Sequence, residues 1–128
     1  MARDSDDGYF SFENLEVYVL AEDLVEEVYM LARTFPDDER FGLTNQLQRA
    51  VNSITLNIAE GKGRDTDRDF LRCLYISRGS LLETVSAMRL AARLKYTSAE
   101  KAAPIREHCR VLNSKLKALI IYLESQNP

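Results

Sequence analysis

The sequence is poor in the residues on which metal, redox and loop-rich proteins depend. Its 128 residues contain no tryptophan, one histidine, two cysteines, five glycines and three prolines. Few glycines and prolines favour long helices, because both residues interrupt them. The two cysteines, Cys73 and Cys109, are far apart and lie in helical patterns. We therefore predict reduced, buried thiols rather than a disulfide or a metal site.

The scarcity of metal ligands also argues against the chemistry that four-helix proteins often carry. Di-iron sites need a Glu-x-x-His motif on each of two helices, and the single histidine, His108, follows Ile105 at that spacing. We predict no metal and no cofactor, and we interpret His108 as a partly exposed helix residue. The segment from Gly61 to Arg64 lacks the spacing of a phosphate-binding loop and is interpreted as a helix-to-helix turn.

Long apolar runs are absent as well. No stretch approaches the roughly 20 apolar residues that a membrane-spanning helix needs. The first residues are acidic and lack an apolar segment, so we expect no export signal and a cytoplasmic location. Residues 1–9 are expected to form a disordered tail before a single domain at 10–125.

Charge is divided unevenly along the chain. Residues 1–41 hold twelve acidic and three basic side chains, a net of −9, whereas residues 42–128 hold eight and fourteen, a net of +6. The acidic part could pair with the basic part, within one subunit or between subunits, or the basic part could face an anionic partner. The overall charge of −3 argues against a general nucleic-acid binder.

Apolar residues recur at three- and four-residue spacing in four segments, which predicts four amphipathic helices. We place them at about 12–35, 43–60, 67–95 and 99–124. Their short connections predict an all-α, antiparallel up-down-up-down four-helix bundle. The predicted core positions are Val17, Leu20, Leu24, Val28, Leu31, Phe35, Leu47, Val51, Ile54, Ile58, Phe70, Leu74, Leu81, Val85, Met88, Ala92, Ile105, Cys109, Leu112, Leu116, Leu119 and Leu123.

Helix 1 carries more apolar surface than one bundle core needs. A second stripe holds Tyr18, Val25 and Tyr29. Excess apolar surface of this kind marks a contact with another molecule. These three residues are the candidate oligomer contacts.

Several small or capping residues carry specific predictions. Thr66 with Asp69 and Thr97 with Glu100 have capping-box spacing at the starts of helices 3 and 4. Gly61 and Gly63 are predicted to supply a C-terminal cap for helix 2 and a flexible turn after it. Gly79 interrupts helix 3 at a cost of roughly 1 kcal/mol relative to alanine, which suggests that another helix approaches closely there.

A polar stripe runs beside the predicted core of helix 2 and continues on helix 3. Its members are Arg49, Ser53, Asn57, Glu60, Arg78, Ser80 and Glu83. Polar groups beside a core must be paired. We favour a hydrogen-bond network or an interface; the alternative is a ligand or catalytic cleft built on Arg49, Glu60, Arg78 and Glu83.

Basic residues cluster where helix 2 turns into helix 3. Lys62, Arg64, Arg68 and Arg72 are the candidate nucleic-acid contacts, since each phosphate contact adds a salt-dependent contribution to affinity. Asp65, Asp67 and Asp69 alternate with these cations, a composition that is also typical of a solvated face of mixed charge.

Two segments resemble the proteins of the 23S rRNA intervening-sequence family: QLQRAVNSITLNIAEG at 46–61 and FLRCLYISRGSLLE at 70–83. With FENLEVY at 12–18 and Phe35-Pro36, the resemblance covers residues 10–124. It implies a bacterial four-helix bundle that assembles as a homopentamer. The matching residues are carried over as a structural or interface signature, without a catalytic role: Arg49, Ser53, Asn57, Glu60, Gly61, Arg78, Gly79, Ser80 and Glu83.

The family also resembles the accessory variability determinant of diversity-generating retroelements, a basic, pentameric, nucleic-acid-binding partner of a reverse transcriptase. This chain differs in being net acidic. Our hypothesis is therefore a non-enzymatic, oligomeric interaction protein with RNA or DNA as its candidate partner. The alternatives are a protein-binding module that uses the acidic face of helix 1 (Glu22, Glu26, Glu27) and an enzyme that uses the four charged residues of the polar stripe.

Overall fold

The computed structural model describes residues 9–127, and within that range it contains four α-helices and no strand. The helices are α1 (Glu16–Ala32), α2 (Leu43–Lys62), α3 (Asp67–Arg93) and α4 (Ala99–Ser125). Short 3-10 turns at Ser11–Asn14 and Asp37–Glu39 precede α1 and α2. The predicted all-α class is confirmed, whereas the predicted tail lies almost wholly outside the described residues.

The four helices stand at the corners of a square. Each helix packs against the next in sequence, and α4 packs against α1. Over residues 9–127 the diagonal pairs, α1 with α3 and α2 with α4, do not contact each other. The arrangement is the up-down-up-down bundle that short connections favour. None of the helices described has the length and apolarity needed to cross a bilayer.

One continuous apolar core fills the square. Its fully buried side chains come from all four helices, with Leu24, Leu47, Ile54, Leu74 and Leu112 among them. Burying a large apolar side chain of this kind contributes roughly 1.5–3 kcal/mol before the entropy cost. The core therefore provides the main driving force for folding.

Four predicted core positions are only partly buried. Leu20, Val85, Ala92 and Leu119 lie at the edges of their helix faces. In α4 the buried residue is Ile120 instead of Leu119. Successive residues on a helix are about 100° apart. An error in the predicted direction of the core therefore assigns the buried position to a neighbouring residue.

The first helix is shorter than the predicted range of 12–35. Residues 11–14 form a 3-10 turn, and Leu15 is extended, so α1 begins at Glu16. The ring of Phe12 lies 4.7 Å from that of Tyr18, which holds the turn against the helix. The helix ends at Ala32, ahead of Pro36, because the residue before a proline disfavours the helical conformation.

Ser98, not Thr97, caps the start of α4. Its side chain accepts a hydrogen bond from the Lys101 N–H at 3.1 Å. The Thr97 hydroxyl is buried and has no hydrogen-bond partner among the described residues. For α3 the predicted cap is confirmed, since the Thr66 hydroxyl accepts from the Asp69 N–H at 3.2 Å.

The two conspicuous glycines have roles that differ from the predictions. Gly61 lies inside α2, and Gly63 occupies the C-cap. A Cβ on Gly61 would lie 2.7 Å from the Cβ of Cys73 and 2.9 Å from Cδ1 of Phe70. A Cβ on Gly79 would meet nothing within 4 Å. Gly61 therefore permits the close approach of α2 and α3, and no helix of the same chain uses Gly79.

We expect Gly61→Ala and Gly79→Ala to change subunit stability in opposite directions. Gly61→Ala should lower the free energy of unfolding by about 1–3 kcal/mol, because the added methyl group overpacks the α2–α3 contact. Gly79→Ala should raise it by about 1 kcal/mol, because alanine favours an exposed helix position. Urea unfolding followed by circular dichroism measures both, and equal effects of the two substitutions would contradict the packing described.

Candidate functional site

The polar stripe of α2 lies along an open groove between α2 and α3. The groove has a volume of about 530 Å³. Its lining is formed by Phe41, Gly42, Asn45, Gln46, Arg49, Ala50, Ser53, Ser80 and Glu83. The sequence-predicted residues Arg49, Ser53, Ser80 and Glu83 thus share one surface.

Three of the predicted polar residues bind one another. The Ser80 hydroxyl donates to Ser53 Oγ at 2.9 Å, and Asn57 Nδ2 donates to the same oxygen at 3.0 Å. Deeper between the helices, the buried Ser77 hydroxyl donates to the Ile54 carbonyl at 3.0 Å. These bonds join α2 to α3 and satisfy the hydroxyl groups that close packing buries.

The four charged residues of the stripe do not converge on one point. Arg78 turns towards α4, where its Nε donates to Asn113 Oδ1 at 3.3 Å. Glu60 pairs with Arg64, one turn further along the chain. Arg49 and Glu83 line the α2–α3 groove and are exposed. The residues proposed as a catalytic set are therefore divided among three surroundings.

The cations of the helix 2–3 turn are all exposed. Lys62 Nζ lies 5.9 Å from the centre of the Phe70 ring. Arg64 donates a hydrogen bond to the Glu60 carboxylate, and this bond together with the negative charge of Glu60 raises the pKa of Arg64. In the described part of the chain, Arg68 and Arg72 have no ion pair. With Lys62, which also has no ion pair among the described residues, they are the members of the predicted set that are available to an anionic partner.

The candidate oligomer contacts line a second groove, between α1 and α2. Tyr18, Val25 and Tyr29 are partly buried and pack against the core. The Tyr29 hydroxyl accepts a hydrogen bond from Asn52 at 2.8 Å. Tyr18 and Val25 also border an open groove of about 490 Å³ with Glu22, Glu26 and the exposed Leu56. Part of the second stripe is thus used within the subunit.

A larger groove, which sequence reasoning did not identify, lies between α3 and α4. Its volume is about 1070 Å³. Val85, Ala92 and Ala103 contribute to an apolar floor. The cations at its edge are Arg89, Arg93, Lys95 and Arg106. The four-residue spacing of Arg89 and Arg93 was visible in the sequence, but Arg106 joins them only through the turn between the helices.

The thiols and the histidine are placed as structural groups. Cys73 and Cys109 are buried and unpaired with each other. Burial raises the pKa of Cys109 to about 12, so its thiol stays protonated and unreactive at neutral pH. His108 is exposed, with Nδ1 2.8 Å from the Glu27 carboxylate. Over residues 9–127, no group of three or more acidic, histidine or cysteine side chains is arranged to hold a metal.

The fold and its surfaces define a small all-α bundle whose polar seam is structural. The family model described as "23S rRNA-intervening sequence protein" matches residues 13–118. The chain therefore belongs to the 23S rRNA intervening-sequence protein family. No curated protein matches its sequence.

A solved structure is similar over most of the chain. It is a protein of unknown function from the S23 ribosomal protein family of Bacteroides thetaiotaomicron, with 23% sequence identity and a TM-score of 0.75. The match covers 81% of this chain and 97% of that one. At this identity the similarity establishes the fold.

We predict that the hydroxyl network stabilises the subunit. Ser53→Ala should lower the free energy of unfolding by about 1–3 kcal/mol, because it leaves the buried Ser80 hydroxyl without its partner. Ser53→Ala/Ser80→Ala should recover most of that loss, since the unpaired group is then removed. The control is Ser86→Ala, at an exposed position. It measures the increase in the free energy of unfolding that the higher helix propensity of alanine produces by itself. Additive effects at Ser53 and Ser80 in urea unfolding would show that the two hydroxyls are not coupled.

Proposed function

We propose that this protein is a non-enzymatic interaction protein that acts as an assembly of identical subunits. The family resemblance implies a homopentamer. The main observation in support is the amount of apolar surface that a single subunit leaves in water. Monomeric proteins rarely leave contiguous apolar patches exposed without a functional reason.

Three of the exposed apolar residues lie beside grooves on two sides of the bundle. Leu56 is 66% exposed at the edge of the α1–α2 groove. Leu82 and Leu90 are 55% and 50% exposed beside the α3–α4 groove. Association that covers such residues gains roughly 25 cal/mol for each Å² of apolar surface removed from water. Two separate apolar areas per subunit suit contacts with two neighbours.

The non-enzymatic part of the proposal is supported by the polar stripe. Catalysis needs a nucleophile or base held within reach of a partner that activates it. Arg49, Glu60, Arg78 and Glu83 are instead divided among separate contacts, and Ser53 and Ser80 bind each other. The bond between Ser53 and Ser80 joins α2 to α3.

We expect the wild-type protein to form an assembly with a defined mass at micromolar concentration. Leu56→Asp and Leu82→Asp should each lower that mass, because a charge cannot be buried cheaply in an apolar contact. Light scattering coupled to size exclusion measures the mass, and circular dichroism verifies that each variant is folded.

Phe41→Asp is the matched control. Phe41 is 84% exposed and lies outside both apolar areas, so the same change should leave the mass unchanged. A wild-type protein that is still monomeric at 100 times that micromolar concentration would refute self-assembly.

Binding of RNA or DNA is a second candidate function, and the unpaired Arg68 and Arg72 favour it. Both are exposed on α3 one turn apart, a spacing that puts them on the same face. Cations in such an arrangement could contact successive phosphates.

We predict measurable binding of a fluorescent single-stranded RNA at low salt. In Arg68→Gln/Arg72→Gln, the dependence of log Kd on log salt should be shallower by about 1.4, the value expected for two lost phosphate contacts. Lys101→Gln, an exposed cation on α4, should leave the slope unchanged. Absence of binding at low salt would refute this function, because the electrostatic contribution is largest there.

A further inference from the structure

The two apolar areas lie on opposite sides of the bundle and carry opposite charge. The helices occupy the corners of a square in chain order. The face made by α1 and α2 is therefore opposite the face made by α3 and α4. Because the two faces carry opposite charge, neither face is complementary to a second copy of itself. Each face therefore needs a partner surface of different shape and charge.

The α1–α2 face combines an apolar groove with carboxylates. Glu22 and Glu26 line the groove together with Tyr18, Val25 and Leu56. Among residues 9–127, no cation takes part in this lining. The face thus presents apolar side chains bordered by negative charge.

The α3–α4 face has the complementary composition. Its groove is lined by Arg89, Arg93, Lys95 and Arg106, and by no carboxylate. In the part of the chain that the structure describes, none of these four cations forms an ion pair. An adjoining groove of about 240 Å³ shares Val85 and Arg106 with the first and includes the exposed Leu82. Glu107 also lines the adjoining groove, where it is paired with Arg110. The unpaired charge that borders the apolar side chains of this face is positive.

We propose that the acidic α1–α2 face of one copy docks against the cationic α3–α4 groove of the next copy. This inference rests on the proposed self-assembly and specifies the surfaces that meet. Glu22 and Glu26 of one subunit oppose Arg89 and Arg106 of its neighbour. The apolar side chains between them provide affinity, while the charges set orientation and exclude wrong pairings.

Docking of two different faces makes a head-to-tail contact. Such contacts form a closed ring when the rotation between subunits divides a full turn, and an open filament when it does not. This arrangement also explains the uneven distribution of charge along the sequence. The acidic residues of α1 and the basic residues of α3 and α4 serve opposite sides of one repeated contact.

The groove chemistry favours a second copy over a nucleic acid as the occupant. Its floor is aliphatic, and no aromatic ring lines it. A single strand would use aromatic rings for base stacking, and phosphates gain nothing from an aliphatic floor. An apolar surface bordered by carboxylates can pack against the aliphatic floor and pair with the cations at its edge.

Charge reversal on each face tests the proposal. One variant carries Glu22→Lys/Glu26→Lys, and a second carries Arg89→Glu/Arg106→Glu. We expect each to lose the wild-type mass in light scattering, because like charges then meet across the contact. The dissociation constant should rise by at least 100-fold at 50 mM salt and by less at 500 mM, where screening is stronger.

Restoration provides the decisive result. The chain that carries all four substitutions should regain the wild-type mass, since both partners are then reversed. Mixing the two double variants should raise the mass above that of either variant alone, because each supplies the charge that the other needs. The two variants must alternate along the assembly, so a ring with an odd number of subunits is not expected to re-form. This arm does not depend on the folding of the fourfold variant. Lys101→Glu/Lys117→Glu, which changes exposed cations of α4 outside both grooves, should keep the wild-type mass.

The outcomes separate this inference from the function on which it rests. A monomeric wild-type protein would refute self-assembly itself. A wild-type assembly whose mass is unchanged in both double variants would refute only the docking of these faces. Loss of mass in both double variants, with no gain of mass on mixing and no restoration in the fourfold chain, would show that these residues do not meet. Binding of the RNA probe that is lost in Arg89→Glu/Arg106→Glu, with the mass unchanged, would assign the groove to nucleic acid instead.

Discussion

The close contact between α2 and α3 is the constraint on which the rest of the structure depends. Gly61 lets the two helices meet at the β-carbon of Cys73 and the ring of Phe70. Further along, the Ser53 and Ser80 hydroxyls bind each other across the same seam. Small side chains bring the helices together, and the polar groups that this approach buries are satisfied by partners on the facing helix.

A rigid seam between α2 and α3 leaves the other surfaces to carry the interactions. The α1–α2 face is acidic and the α3–α4 face is cationic, and each has exposed leucine beside its groove. Apolar groups that remain in water contribute little to the folding of the isolated subunit. We infer that this surface is selected for contacts between molecules, whose orientation depends on complementary charge.

The polar stripe illustrates why residue type alone does not identify a catalytic site. Arginine, glutamate and serine along one helix line are compatible with catalysis, with a ligand site or with a structural network. In this structure Ser53 and Ser80 bind each other, Arg78 donates to Asn113 on α4, and Glu60 pairs with Arg64. These contacts support the hypothesis of a structural network. Family membership agrees with a conserved fold and by itself specifies no reaction.

The sequence by itself determined the four helices, their order and most of the core, because three- and four-residue apolar spacing is a local property of the chain. Only the tertiary structure decided how Gly61 and Gly79 differ, since that depends on which helix lies opposite each one. The same holds for the cationic groove, where Arg106 joins Arg89 across a turn. Contacts between helices depend on how each helix is rotated about its axis. A local pattern specifies that rotation only to within about 100°, the angle between successive residues.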